Sequence, residues 1–311
     1  MINTLERRRI DESPYFVSGS RKEKETVDGH TSYHYMDLPH TRLHYVKCGE
    51  GPPLIMVPAT ISDIASWLPL AQLLGRYFTT YFFELPGHGK STPFKSRFSS
   101  DLVAETVEAF VDRLGCRRIT LMGFSFGGIL ARKVLMRLQD RVDRVILFAP
   151  ATTRHALCIP AGRIVCIRIL LAVLHQRWLC RAVVNLIQSR LVGTRLIALL
   201  RRLGKIEENV PLENRLMAIS PVTLQVLVDQ LREVFEHDIK PLEVPFQPPV
   251  YFGMSVNDPL LDFEKTLEIV ESQFAQVHIQ RFDFPYHQPP GKPSTASLAR
   301  EFDHFFQDIL K

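Results

Sequence analysis

The chain has 311 residues, 46% of them hydrophobic and 23% charged, and a net charge of +5. That length suffices for one large α/β domain or a core with an insertion, and the balance is that of a soluble globular protein, not a disordered one. Residues Met1 to Ile10 carry Glu6 and Arg7-Arg8-Arg9 with no apolar run behind them, and arginines break every apolar stretch short of about 18 residues. Neither a secretory leader nor a membrane span is expected from this pattern, and a cytoplasmic protein is.

Residues 1–30 are polar and charged, which reads as a flexible N-terminal arm. A hairpin is expected at Tyr33–Met36 and Leu43–Lys47, turning at Pro39-His40. A buried strand follows at Leu54–Val57, a helix at Ala65–Leu74 and a strand at Thr79–Phe83. Ser100–Leu114 reads as a helix, with Ser99 or Ser100 as its cap and Gly115 at its end. Ile119–Met122 is a strand, Gly127–Leu138 a helix and Val142–Phe148 a strand. Short apolar strands alternating with helices point to a mostly parallel sheet covered on both faces.

After Pro150 the rhythm changes. Residues 154–240 read as helices without strands, and strands and helices resume at Val250–Phe252, Phe263–Phe274 and Val277–Phe282, closing with a helix at Ser297–Ile309. The parse is therefore a core of 31–153 and 241–311 with a helical cap inserted at 154–240. The five cysteines, Cys48, Cys116, Cys158, Cys166 and Cys180, show no metal-ligand or redox spacing and are expected as buried, reduced small hydrophobes.

The run Gly123-Phe124-Ser125-Phe126-Gly127-Gly128 follows an apolar strand and opens a helical pattern, which is the strand–turn–helix setting of a nucleophile elbow. Glu84-Leu85-Pro86-Gly87-His88-Gly89-Lys90-Ser91 lies upstream. With these motifs the chain resembles the α/β-hydrolase superfamily from about Tyr33 to its C-terminus. In that family the second segment ordinarily begins with Asp, and Val57-Pro58-Ala59-Thr60 stands where many members have His-Gly-x-Pro. The resemblance implies an α/β-hydrolase fold with a nucleophilic Ser125. It also implies an oxyanion hole formed by the backbone N–H groups of Phe126 and Thr60.

The family order is serine, acid, histidine. Strand Val250–Phe252 runs into Gly253-Met254-Ser255-Val256-Asn257-Asp258, which makes Asp258 the candidate acid. Asp262 and Asp283 are the alternatives, the first better suited to capping a helix. The last strand leads to Phe284-Pro285-Tyr286-His287, which makes His287 the candidate base, with Tyr286 where many members have Gly. His278 falls within a strand, His304 on the terminal helix, and His88 on a loop shaping the sheet edge. No His-x-x-x-His pair falls on a plausible helix face with a third ligand, so neither metal nor cofactor is expected.

The implied chemistry is a Ser125–His287–Asp258 triad that cleaves a carboxylic ester, of an apolar acyl group, through an acyl-enzyme. The alternatives are the same triad acting on a carbon–carbon bond, on a thioester or in acyl transfer, and a binding protein that kept the scaffold without turnover. A serine nucleophile argues against epoxide hydrolase and haloalkane dehalogenase chemistry, which in this family use aspartate there.

The positive charge is concentrated. From Arg144 to Lys205 there are eleven basic residues and, between Asp143 and Glu207, no acidic one, which leaves 27 basic against 33 acidic residues elsewhere. The segments Arg163–Leu174 and Leu196–Leu203 mix aliphatic runs with these arginines. Solvated or snorkelling arginines on a lid packed against the core are one reading. A cap resting peripherally on an anionic membrane is the sharper one, and an anionic small substrate a third. Nucleic acid is not expected as a partner, because the charge comes with aliphatic rather than aromatic interleaving.

Overall fold

The computed structural model describes residues 31–60, 63–189, 192, 195, 219–239, 242–289 and 293–309. The expected N-terminal arm, the segment Leu196–Leu203, and Arg190, Arg201, Arg202 and Lys205 lie outside them. Strands β1 (Thr31–Asp37), β2 (Arg42–Cys48), β3 (Pro53–Val57), β4 (Thr79–Phe83), β5 (Ile119–Phe124), β6 (Val142–Phe148), β7 (Val250–Ser255) and β8 (Val277–Phe282) form one sheet in the order β1-β2-β4-β3-β5-β6-β7-β8. β1 and β2 are an antiparallel hairpin, and β2 joins β4 antiparallel. Every pairing from β4 to β8 is parallel.

Helices α1 (Ile64–Leu74), α2 (Ser100–Leu114), α3 (Gly127–Leu138), α7 (Phe263–Gln273) and α8 (Thr295–Asp308) flank this sheet, and α4 (Ala161–Leu174), α5 (Arg177–Gln188) and α6 (Pro221–Glu236) lie between β6 and β7. The alternation of side chains along a strand assigns the two faces. On β5, Met122 and Phe124 point toward Trp67 of α1 and Phe302 of α8, while a Cβ on Gly123 would press on Ala131 of α3. β5 is buried at every residue, as a central parallel strand covered on both sides must be.

Local signals set the helix ends. Ser99 accepts from the Leu102 N–H to start α2, and Asp262 accepts from the Lys265 N–H to start α7. α6 reaches back to the core, where the Glu233 carboxylate takes both the N–H (2.9 Å) and the hydroxyl of Ser100 at the N-terminus of α2. Burial raises the pKa of Glu233 above the usual carboxylate range.

α4, α5 and α6 gather a second, smaller apolar cluster around Leu171, Cys180, Val228 and Phe235, apart from the main core. Cys48 and Cys180 are buried, but the expectation fails for Cys158 and Cys166, which are exposed. Cys158 lies in the connection leading to α4, and Cys166 on the exposed face of α4. Among the described residues no helix is long and apolar enough to cross a membrane.

Candidate active site

Ser125 occupies the turn between β5 and α3 with φ +52°, in the left-handed region that costs a side-chain-bearing residue roughly 1–2 kcal/mol. Main-chain bonds hold it there. Its N–H donates to the Phe148 carbonyl at 3.2 Å, and its carbonyl accepts from the N–H groups of Gly128 and Ala151, each at 2.8 Å. α3 must pass close to β3 for this turn to form, since a Cβ on Gly127 would stand 2.8 Å from the Val57 carbonyl oxygen.

The loops that follow β7 and β8 bring two more side chains to the serine. His287 Nε2 lies 2.9 Å from Ser125 Oγ, and His287 Nδ1 lies 2.7 Å from Asp258 Oδ2. A carboxylate only accepts, so Nδ1 carries the proton and donates to Asp258, and Nε2 is left to accept the Ser125 hydroxyl. The Asp258 side chain is 1% exposed and that of His287 11%. The second carboxylate oxygen of Asp258 accepts from the N–H groups of Leu260 (2.8 Å) and Leu261 (3.0 Å), which fixes its rotation.

The two loops are also tied to each other. Ser255 Oγ donates to the Phe284 carbonyl at 2.6 Å, and Asn257 Nδ2 to the Asp283 carbonyl at 3.1 Å. Tyr286 stacks on Phe284, with ring centroids 4.6 Å apart, and its hydroxyl donates to Glu301 of α8 at 2.8 Å. Burial and that carboxylate push the Tyr286 hydroxyl up to about 12. The His287 ring rests against Phe124, 5.2 Å between centroids. An apolar cavity of about 50 Å³ opens beside this contact, lined by Trp67, Leu70, Met122, Phe124 and Phe148.

Of the two expected backbone donors, Phe126 is the N-cap residue of α3, so its N–H precedes the helical ladder. Thr60 lies three residues past β3 and is half-buried. The alternative acids stand elsewhere: Asp262 caps α7, and the Asp283 carbonyl is bound to Asn257. His278 stacks on Tyr251 within the sheet, and His304 sits on α8. His88 is buried, with Nε2 3.3 Å from Gln230 Nε2 of α6, and burial lowers its pKa to about 4.

Sequence reasoning missed the part played by Glu84. Its buried carboxylate accepts from the N–H groups of Ile64 (3.2 Å) and Lys90 (2.6 Å), and His44 Nδ1 lies 2.9 Å away. It therefore fixes the start of α1 against the loop after β4. The one available signal was the longer side chain standing where the family has Asp.

A family model described as the alpha/beta hydrolase fold matches residues 52–162, from β3 through the Ser125 turn into α4. The fold and this matched segment are those of the α/β-hydrolase superfamily. Among α/β-hydrolase relatives, it is 32% identical over 111 residues to the N-formylmaleamate deformylase of Pseudomonas putida, covering 35% of this chain and 41% of that protein. It is 28% identical over 116 residues to the pimeloyl-[acyl-carrier protein] methyl ester esterase of Nitrosomonas europaea, covering 37% and 44%. These matches span less than half the length of the relatives. The fold of a bacterial membrane phospholipase A superposes with a TM-score of 0.64 at 19% identity, covering 91% of this chain and 87% of that one.

Proposed function

We propose that this α/β hydrolase is a serine hydrolase that cleaves a carboxylic ester of an apolar acyl group through an acyl-enzyme. The observation that carries the reading is the aligned pair of contacts at His287, 2.9 Å to Ser125 Oγ and 2.7 Å to Asp258 Oδ2. A serine hydroxyl is a poor nucleophile until a base within hydrogen-bond reach takes its proton. His287 accepts that proton as Ser125 Oγ bonds to the carbonyl carbon, and buried Asp258 stabilises the imidazolium that results.

The negative charge then moves to the carbonyl oxygen, for which the N–H groups of Phe126 and Thr60 are the proposed donors, one such donor being worth about 3–4 kcal/mol. His287 returns the proton to the leaving alcohol. Water, activated by the same imidazole, releases the acid from Ser125. The apolar neighbours Phe124, Phe126, Phe148 and Trp67 support an apolar acyl group, and the ester reading has a precedent in the methyl ester esterase among the relatives. Helices α4–α6, with their own apolar cluster, are the proposed cap.

The test is labelling by a fluorophosphonate probe, comparing the native chain with Ser125→Ala, followed by a p-nitrophenyl ester series of increasing chain length. Labelling of the native chain alone and turnover of the esters are expected. A folded native chain that neither labels nor turns over any ester would overturn the proposal.

A further inference from the structure

Packing accounts for only half of the surface of α4. Its inner face, Ile164, Ile167, Leu171 and Leu174, joins Cys180 of α5 and Val228 and Phe235 of α6. A helix apolar all round is ordinarily covered all round. On α4 the opposite face is open: Val165, Ile169 and Val173, successive turns of one stripe, are 53%, 61% and 51% exposed, with Leu170 beside them. Trp178 and Leu186 of α5 are exposed too, so these two helices hold six of the thirteen exposed large apolar side chains among the described residues.

The charged residues carried by these two helices are all basic. At 100° per residue, Arg163 and Arg168 fall on the two margins of the α4 stripe, and Arg177 and Arg181 stand exposed on α5. Acidic residues are absent between Asp143 and Glu207. A second copy docking through the same patch would set these arginines against their own counterparts. An anionic bilayer offers both an apolar boundary and the complementary charge.

We propose that the outer face of α4 and α5 seats this protein on an anionic lipid surface. Val165, Ile169, Val173 and Trp178 enter the acyl boundary, and the arginines lie among the headgroup phosphates. This placement does not depend on the hydrolytic reading, and its test reads binding alone.

Trp178 supplies the probe, because the chain has two tryptophans and the other, Trp67, is 6% exposed. The full chain is mixed with vesicles of phosphatidylcholine alone or with about one-third phosphatidylglycerol, at about 0.05 M and about 0.5 M salt. Blue-shifted emission and co-sedimentation are expected with anionic vesicles at low salt only, and Trp178→Phe abolishes the spectral shift. Ile169→Asp weakens binding at least about tenfold, and Arg163→Gln and Arg168→Gln about fivefold each. Met136→Ser, which removes an equally exposed apolar side chain from α3, changes nothing. Ile169 is exposed, so its variant keeps the native thermal transition. The proposal is overturned if the folded chain ignores anionic vesicles, if binding is indifferent to salt, or if Ile169→Asp binds as the native chain does. It is equally overturned if Ile169→Asp abolishes self-association of a chain that binds no vesicle.

Discussion

The backbone N–H of Ser125 donates to the carbonyl of Phe148 across the ends of β5 and β6, which anchors a residue at φ +52° to the neighbouring strand. Strain and chemistry at this position are separable. Ser125→Ala removes the hydroxyl and keeps the strain, whereas Ser125→Gly removes both. Urea unfolding is expected to find Ser125→Gly more stable than Ser125→Ala by about 1 kcal/mol, while both lose roughly 10⁶ in kcat on an ester substrate.

Asp258→Asn tests the orientation of the imidazole. An amide oxygen still accepts from the N–H groups of Leu260 and Leu261, so the loop keeps its shape. The amide NH₂ then faces His287 Nδ1 and favours the tautomer with its proton on Nε2, which cannot accept from Ser125. A fall in kcat of about 10⁴ is expected with a nearly unchanged melting temperature. A loss smaller than tenfold would remove Asp258 from the proposed mechanism.

His88 makes stability depend on pH. Burial lowers its pKa to about 4, against the weaker upward pull of Glu84. The unfolded chain takes up this proton near pH 6.5 and the folded chain only near 4, so between those values the unfolded state binds more protons. Stability is therefore full above about pH 6.5 and declines as the pH falls toward 4, His88 accounting for about 3 kcal/mol. His237, lowered to about 4 by burial with Arg132 and Lys133, acts in the same direction. Denaturant titrations from pH 7 to 4 are expected to show this decline, with a shallower slope in His88→Gln.

Gly89→Ala strikes the carboxylate that joins α1 to the loop after β4. Gly89 has φ +49°, and a Cβ there would collide with the Glu84 carboxyl group. Left-handed strain and the displaced bonds to Ile64, Lys90 and His44 together cost about 3 kcal/mol. A calorimetric melting temperature within a degree of the native one would show that Glu84 has room to move.

Much of this architecture was legible in the chain itself. Val142–Phe148 and Gly127–Leu138 match β6 and α3 residue for residue, because Val145–Phe148 is an unbroken buried apolar run and the glycines set a tight turn between the preceding strand and helix. Ser125 and His287 are 162 residues apart, and the parallel order that places successive loops at one sheet edge brings them together. The contact of Glu84 with His44 depends on a pairing of β2 with β4 that no local pattern announces. Nor could periodicity distinguish a covered α4 from an open one, since apolar residues on all sides carry no phase, and the exposure of Cys166 follows from that.

The connection leading to α4 is laced to the loop of Asp258. Cys158 N–H donates to the Leu260 carbonyl and Asp262 N–H to the Ala156 carbonyl, at 2.8 and 2.7 Å, with Leu157 bridged to Leu261 between them. The start of α4 is thus tied to the Asp258 loop. A rigid swing of α4 either tears this short ribbon or drags the loop along, and with it the carboxylate that orients His287. Load applied to the outer helices would reach the histidine through the acid loop, leaving the serine turn, pinned between β5 and β6, as the fixed point of the mechanism.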